Sequence, residues 1–227
     1  RSCPGYTVTW TTTAEPMRFA DRREAGVSLG RAVAVHHPPQ PLIAALPRGG
    51  VPVGFEVAET LGCELDVLVV RKVGVPFHPE LAMGAVAEGD VVIRNDEIID
   101  RVGIDDETFD VRAQSEKSEL ESRLARYREA VPAIDPAGRT VIVVDDGLAT
   151  GSTALAAMKV LRARDALGVW LAVPVAPADS IPVMEGVADR VIVIEHPRRF
   201  MAVGAWYLDF SPTPDAEVVE LLRRSRN

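Results

Sequence analysis

The chain has 227 residues, of which 47% are hydrophobic and 26% are charged, a balance typical of a globular domain. Its formal net charge of −8 argues against a nucleic-acid partner, because binding a phosphate backbone requires a basic surface. A small molecule that carries phosphate is not excluded, since it needs only a few local hydrogen-bond donors and cations. The two cysteines, Cys3 and Cys63, have neither metal-ligand nor disulfide spacing.

The amino-terminal segment differs from the rest of the chain. Residues 1–16 are polar and rich in threonine, whereas Met17 opens a well-patterned segment. We therefore expect residues 1–16 to be a poorly ordered extension, either upstream sequence or derived from cloning, and residues 17–227 to form a single domain. No apolar run approaches bilayer length and no secretory leader is recognisable, so we expect a cytoplasmic protein with no membrane partner.

Strands and helices alternate along the chain when its hydrophobic periodicity is followed. The first half is predicted to contain a helix at 18–33, a strand at 42–46, a helix at 51–61, a strand at 65–70, a loop at 73–90 and a strand at 91–94. A long amphipathic helix follows at 105–131, and we interpret its many charges as a solvated face with i,i+4 pairs. The remainder is predicted to contain strands at 140–144, 169–173 and 190–194, helices from Gly151 and at 181–187, and a last helix capped by Thr213.

This order predicts an α/β fold with a mainly parallel sheet and helices on both of its faces. Ligands bind such sheets at the carboxyl ends of the strands. Three polar segments directly follow predicted strands, namely Arg48-Gly49-Gly50, Arg71-Lys72 and residues 145–153. We therefore expect these segments to meet at one edge of the sheet and to form the functional site.

The third of these segments has a composition suited to a phosphorylated sugar. Asp145 and Asp146 follow a strand, and Thr150-Gly151-Ser152-Thr153 opens the next helix. Free N–H groups at a helix amino terminus suit a phosphate, hydroxyls add donors, and glycine lets the backbone approach closely. Carboxylates accept hydrogen bonds from the vicinal hydroxyls of a sugar. Each piece alone is better explained as a strand end or a helix cap, but the ordered combination indicates a ribose 5-phosphate site.

Residues 141–153 resemble the 5-phosphoribosyl-1-pyrophosphate motif of the type I phosphoribosyltransferases: four apolar residues, two acids, then a loop rich in hydroxyls and glycine. Gly147 departs from the family pattern, in which an aliphatic residue usually follows the acid pair. The resemblance extends over nearly everything from Met17 onward. The segments RKVGVPFHPELAMGAVAEGD, VDDGLATGST and FMAVGAWYLDF are most similar to a bacterial group of the family whose acceptor is unassigned.

The resemblance implies the type I fold, with a lid loop at about 73–90, an inserted helix at about 105–131, and a hood at about 196–211 together with the carboxyl-terminal helix. It also implies that the chain binds 5-phosphoribosyl-1-pyrophosphate (the donor) with magnesium. The ribose 5-phosphate would be held by Asp145, Asp146, Ala149, Thr150, Gly151, Ser152 and Thr153, and the pyrophosphate by Arg48, Gly49, Gly50, Arg71 and Lys72. Asp209 would lie near the magnesium ion, which is held mostly by the ligand.

Catalysis is expected to involve Arg48 and Lys72 together with the acid pair, because the departing pyrophosphate gains negative charge that cations stabilise. The alternatives are a surface arginine in a turn and a solvated lysine in a loop. The lid would exclude water from the reaction. Within it, Glu80, and less strongly His78, is a candidate general base, although a loop residue of either type is commonly just solvated.

Two features bear on the acceptor. Ala149 stands where family members acting on 6-oxopurines usually carry an aspartate, which weakens a hypoxanthine–guanine assignment. The hood resembles that of the same enzymes, but Phe200 and Asp209 each lie one residue further from Gly204 than that pattern requires. We expect Phe200, Trp206 and Tyr207 to stack on an acceptor ring, the alternative being that hood aromatics pin the carboxyl-terminal segment onto the core.

The sequence therefore predicts an enzyme that transfers phosphoribose to a nitrogen of a nucleobase-like acceptor and releases pyrophosphate. The alternative is a sensor on the same fold that binds the donor or a nucleotide without turnover. A phosphatase or response-regulator fold using Asp145 and Asp146 would leave residues 150–153 unexplained. The expected partners are small molecules, and a homodimer stays open.

Overall fold

The computed structural model describes residues 18–226, apart from the side chain of Glu80. Residues 1–16 lie outside the described part, so the expectation about them stays a prediction. In chain order the helices and strands are α1 (Arg22–Ala34), β1 (Pro41–Ala45), α2 (Gly50–Leu61), β2 (Glu64–Val67), β3 (Val70–Val75), β4 (His78–Ala87), β5 (Val91–Arg94), α3 (Asp96–Val102), α4 (Asp106–Arg128), β6 (Thr140–Val144), α5 (Ser152–Ala163), β7 (Gly168–Val175), α6 (Ile181–Glu185), β8 (Arg190–Glu195) and α7 (Asp215–Arg224). None of the described helices is long and apolar enough to cross a bilayer.

A five-stranded parallel sheet forms the centre of the molecule, in the order β2-β1-β6-β7-β8. Side chains of each strand alternate between its two faces. Ile43 and Ile142 belong to the core formed with α1, α2, α4 and α7, whereas Leu42 and Val141 belong to the core formed with α5 and α6. The predicted α/β class, with helices on both faces of a parallel sheet, is confirmed.

The strand order reverses between β1 and β6. From β1 the chain passes through α2 to β2 on one side, whereas from β6 it passes through α5 to β7 on the other side. The turns after β1 and β6 therefore diverge and leave a crevice at the carboxyl ends of these two strands. A reversal of this kind is where open α/β sheets bind their ligands.

The predicted loop at 73–90 is wrong as secondary structure. β3 and β4 form an antiparallel hairpin, and β5 adds a third strand. Val73 and Met83 are fully buried in the same core as residues of α4, so long-range packing supplies the order that the local pattern lacks. An irregular register at Gly74 disturbs that pattern, and a Cβ there would lie 2.5 Å from the carbonyl oxygen of Pro79. The predicted strand at 65–70 is split, since Val70 begins the second sheet.

The predicted helix at 105–131 is confirmed as α4, with Asp105 accepting a 2.7 Å hydrogen bond from the backbone N–H of Thr108. The predicted solvated face is confirmed, since seven of the eleven charged side chains of this helix are exposed. The prediction of i,i+4 pairs is wrong for most of the ion pairs, which join the helix to other elements. The pairs join Arg71 to Glu116 and Glu119, Arg126 to Asp215, and Arg128 to Asp66 and Glu88, while one i,i+4 pair joins Lys117 to Glu121.

Two helix starts also differ from prediction. α1 begins at Arg22 rather than at 18, because Asp21 caps it and Phe19 instead pairs with the hood at Tyr207. The cap position of α7 is held by Pro214 in extended backbone, and no side chain caps that helix. The predicted cap Thr213 is buried instead.

Asp66 is a buried carboxylate that ties β2 to the end of α4. Arg128 donates to its two oxygens at 2.7 and 3.2 Å, and the backbone N–H of Ile134 donates at 2.9 Å. We predict that Asp66→Ala lowers the free energy of unfolding by about 3–5 kcal/mol, because it leaves a half-buried guanidinium without one of its partners. Denaturant unfolding measures this. The exposed control Asp100→Ala should change it by less than about 0.5 kcal/mol, and an equal loss in the two variants would contradict the prediction.

Candidate functional site

Asp145 and Asp146 follow β6 directly, at the point where the strand order reverses. Arg22, at the start of α1, pairs with Asp146: its Nε donates to Oδ2 at 2.9 Å, and its Nη2 lies 2.8 Å from the same oxygen. Oδ1 of Asp145 accepts the backbone N–H of Asp146 at 2.9 Å. Within the described part of the chain, Asp145 forms no ion pair. Among the described residues, one guanidinium therefore opposes the charge of two adjacent carboxylates.

The electrostatics of this pair favour a bound ligand. Burial raises the pKa of Asp145 well above its ordinary value, and the negative charge of Asp146 raises it further. Burial also raises the pKa of Asp146, although Arg22 opposes this. Two adjacent, partly buried carboxylates repel each other when both are ionised, so the pair keeps a proton at a higher pH than an isolated carboxyl does. Sugar hydroxyls or a divalent cation would relieve that repulsion.

The turn after β1 packs directly against the acid pair. A Cβ on Gly49 would clash with Oδ2 of Asp146, and a Cβ on Gly50 would lie 2.7 Å from the carbonyl oxygen of Val144. Glycine at these two positions is therefore what allows the β1 and β6 turns to touch. The peptide bond between Pro47 and Arg48 is cis. The structure thus brings together the first and third of the segments predicted to meet.

The predicted phosphate loop forms the amino terminus of α5. Gly151 occupies the cap position with φ 70°, and no side chain caps the helix. Oγ1 of Thr150 and Oγ of Ser152 are 3.0 Å apart, and Nζ of Lys72 donates to that serine Oγ at 3.1 Å. Ala149, Thr150 and Thr153 are exposed. The loop therefore offers hydroxyls, a lysine and first-turn N–H groups to solvent at one place, as an anion cradle requires.

The two cations of the second predicted segment point to different neighbours. Lys72 reaches the phosphate loop, whereas Arg71 lies 2.6 Å from Glu116 and 2.6 Å from Glu119 of α4. The predicted role of Arg71 as a ligand of pyrophosphate stays a prediction. Its guanidinium already contacts two carboxylates. Arg48 is exposed and forms no ion pair with any described side chain.

Arg22 is a site residue that the sequence analysis missed. Besides holding Asp146, its Nη1 donates to the carbonyl oxygen of Ser211 at 2.8 Å, and its guanidinium lies 3.9 Å from the centre of the Phe210 ring. Arg22 and Asp146 are 124 residues apart, so no local pattern could have connected them. The residue links α1, the acid pair and the hood.

Two of the hood aromatics are buried against the core and are not exposed to a ligand. Trp206 and Tyr207 are 9% and 4% exposed and share a cluster with Phe19 and Val175. The hydroxyl of Tyr207 donates to the carbonyl oxygen of Asp146 at 2.6 Å, and burial raises the pKa of that hydroxyl. These observations favour the packing alternative over acceptor stacking for both residues. Phe200 is partly buried beside the same cluster, and its stacking role stays a prediction.

Gly147 departs from the family pattern for a packing reason. A Cβ there would lie 2.6 Å from Cγ1 of Val203 and 2.8 Å from Cγ1 of Val175. The hood therefore occupies the space that an aliphatic side chain would fill.

Asp209 and Glu80 are the two remaining predicted site residues. Asp209 is exposed, and its Oδ1 accepts hydrogen bonds from the backbone N–H and Oγ of Ser211, which lower its pKa. The side chain of Glu80 lies outside the described part, so its role as a base stays a prediction. Across residues 18–226, no group of three or more His, Cys, Asp or Glu residues could hold a metal by itself.

Comparison with known proteins assigns the family. A model of the phosphoribosyl transferase domain matches residues 39–205. The chain belongs to this family. Proteins named "Putative phosphoribosyl transferase" from two strains of Mycobacterium tuberculosis, CDC 1551 / Oshkosh and H37Rv, are 44% identical over 207 residues, which cover 91% of this chain and 47% of each relative. The chain thus spans about half the length of those relatives.

Two solved structures resemble this chain in fold. This family member is 40% identical to TT1426 from Thermus thermophilus, with a TM-score of 0.87 over 92% of this chain and 99% of that chain. The AQ2163 protein from Aquifex aeolicus, at 10% identity and a TM-score of 0.50 over 81% of this chain and 78% of that chain, shares the fold alone. The chain has the type I phosphoribosyltransferase fold, as the motif resemblance implied.

The contact of Gly49 with Asp146 gives the first prediction for the site. Gly49→Ala should lower the free energy of unfolding by about 1–3 kcal/mol, because the added methyl group must displace the carboxylate or the turn. Denaturant unfolding measures the change. Gly186→Ala is the control, since a Cβ there meets nothing closer than 3.4 Å. Equal stability of the Gly49 variant and the wild type would show that the turn has room to move.

The pairing of Arg22 gives a prediction with a pH dependence. The guanidinium stabilises the ionised acid pair, so Arg22→Gln should lower the free energy of unfolding by about 1.5–3 kcal/mol at neutral pH. The pKa values of the pair are raised in the fold, so acidification protonates the pair and the loss should shrink as the pH falls. Unfolding is measured at neutral and acidic pH, with the exposed Arg31→Gln on the same helix as control. A loss that is the same at both pH values would contradict the role of Arg22.

Proposed function

We propose that this chain binds 5-phosphoribosyl-1-pyrophosphate with magnesium and transfers phosphoribose to a nitrogen of a nucleobase-like acceptor, releasing pyrophosphate. The observation that carries the proposal is the arrangement at the reversal of strand order. There the acid pair lies between the Gly49–Gly50 turn and a phosphate cradle to which Lys72 is hydrogen-bonded. Family membership supports phosphoribosyl transfer in general terms.

In the proposed complex each part of the donor has its own partner. The 5-phosphate lies in the cradle of residues 150–153, where hydroxyls and N–H groups donate to its oxygens. The ribose hydroxyls donate to Asp145 and Asp146. The pyrophosphate on C1 lies toward Arg48, whose turn Gly49 holds against the acid pair.

The reaction breaks the bond between C1 and the pyrophosphate oxygen and forms a bond between C1 and the acceptor nitrogen. Negative charge develops on the pyrophosphate, where Arg48 and Lys72 stabilise it, and positive charge develops on the ribose, near the acid pair. The acceptor loses a proton, for which Glu80 is the candidate base. The lid predicted at about 73–90 stays a proposal, and closure of its exposed tip around Phe77, between β3 and β4, would exclude the water that competes with the acceptor.

The residues present fit magnesium held mostly by the ligand. Magnesium usually keeps several waters and binds one or two carboxylates together with substrate phosphates. The acid pair supplies such carboxylates, and no protein-only cage exists among the described residues. Asp145 and Asp146 would hold the ion directly or through water, with Asp209 as a further candidate. When bound, magnesium supplies positive charge to the donor's pyrophosphate.

Ala149 makes an acceptor of the 6-oxopurine type less favourable, since it offers no carboxylate to the base. A cytoplasmic location, small molecules as the only ligands, and the absence of nucleic-acid and membrane partners are part of the proposal. Whether two copies associate is left to measurement.

Calorimetric titration with the donor in magnesium buffer tests the site. Asp145→Asn combined with Asp146→Asn should weaken donor binding by about a hundredfold or more, because hydrogen bonds to charged groups contribute ~1.5–3 kcal/mol each. The matched control combines Asp100→Asn with Asp110→Asn, both exposed, and should bind like the wild type. Unchanged affinity in the acid-pair variant would remove the proposed ribose site.

Turnover is tested by incubating the protein with the donor and a panel of nucleobases and by measuring pyrophosphate release. Release with one acceptor, lost in the acid-pair variant, supports the transferase. Tight donor binding without release for any acceptor would favour the sensor on the same fold.

A further inference from the structure

One row of α4 consists entirely of charged residues. Its members are Arg112, Glu116, Glu119, Arg123 and Arg126. They are spaced by four, three, four and three residues, so they form one stripe along the helix. The stripe lies beside the buried positions of the helix and opens on a cleft that it shares with β3 and the turn after β1.

The cleft consists of two adjoining cavities with volumes of about 280 and 350 Å³, which share Arg71 and Arg123 as lining residues. The smaller cavity reaches Lys72 and Thr153 of the phosphate cradle. The larger one reaches Arg48 of the turn after β1. The cleft therefore touches the candidate site at both ends, although neither cavity is lined by Asp145 or Asp146.

Cationic side chains outnumber carboxylates in this cleft, although the protein as a whole is acidic. Six cationic side chains and three carboxylates line the two cavities, whereas the whole chain carries a formal net charge of −8. Arg71 and Arg126 have carboxylate partners. Within the described part of the chain, Arg48, Arg112 and Arg123 form no ion pair within 4.0 Å. Unpaired arginines that line one concave surface concentrate anions there.

Arginine is suited to one class of anion in particular. Its planar guanidinium donates two parallel hydrogen bonds to a phosphate, and several such forks around a cavity match a diphosphate. The carboxylates of Glu116, Glu119 and Asp215 hold two of the arginines in place. The cleft therefore combines fixed cations with cations that are available to a ligand.

We propose that the α4 stripe, with Arg123 and Arg112 as its available cations, forms a further subsite for the pyrophosphate group of the donor, in addition to the turn after β1. This inference rests on the proposed function, and it assigns to the long helix a binding role beside Arg48 and Lys72. Arg123 lines both cavities, so it is the residue on which the subsite depends most. The stripe would stabilise the charge that develops on the leaving pyrophosphate.

The probe is inorganic pyrophosphate, titrated calorimetrically in magnesium buffer into the full chain. Arg112→Gln combined with Arg123→Gln should weaken its binding about tenfold or more, because hydrogen bonds to charged groups contribute ~1.5–3 kcal/mol. Ribose 5-phosphate binding should weaken by a clearly smaller factor, since the acid pair and the cradle supply most of its proposed contacts. Arg101→Gln, exposed on α3, is the control, and thermal unfolding confirms that each variant is folded.

Competition separates the subsite from an independent polyphosphate site. The donor should displace pyrophosphate from the wild type, and the double variant should lose donor affinity by a similar factor. Unchanged pyrophosphate affinity in the folded double variant, with donor binding intact, would overturn the inference alone. Simultaneous binding of pyrophosphate and donor would also overturn it. If the wild type binds pyrophosphate through these arginines but does not bind the donor, the proposed function fails and the arginine assignment stands.

Discussion

The close approach of two turns is the constraint on which the site depends. The turn after β1 reaches the acid pair after β6 only because Gly49 and Gly50 have no side chains, and the reversal of strand order brings these two turns side by side. Any β-carbon at Gly49 would clash with a carboxylate oxygen of Asp146. The sheet therefore does more than carry the motifs, since its topology sets the distance between the two halves of the proposed donor site.

That approach places two carboxylates in a confined and partly buried space, and the rest of the site balances their charge. Arg22 neutralises one of them from α1, and the Tyr207 hydroxyl holds the backbone of Asp146 from the hood. One guanidinium cannot neutralise both acids, and burial, together with the negative charge of Asp146, raises the pKa of Asp145. The excess negative charge is what suits the site to sugar hydroxyls and to magnesium brought by a ligand.

The acid pair lies on one side of the crevice, and the other side is rich in cationic side chains. α4 and the small sheet bring arginines toward Arg48 and Lys72, so a basic cleft adjoins the acid pair's side of the site. We assign the acidic part to the sugar and the basic part to the phosphates of the proposed donor. The same helix is anchored to the main sheet through Arg128 and the buried Asp66. A helix that is fixed in this way can present its charged stripe at a defined position, which a mobile surface helix could not do.

The sequence by itself determined the α/β class, the buried strands, the long helix and the motif after β6, because each depends on local periodicity or on adjacent residues. The order of segments 140–153 was sufficient to predict a strand, an acid pair and a phosphate loop. Only the tertiary structure decided what lies far apart in the chain: the pairing of Arg22 with Asp146, the hairpin at 70–87, the burial of Trp206 and the cleft beside α4. These depend on contacts between distant segments, and a pattern of neighbouring residues cannot encode which distant partner a charge or a strand will meet.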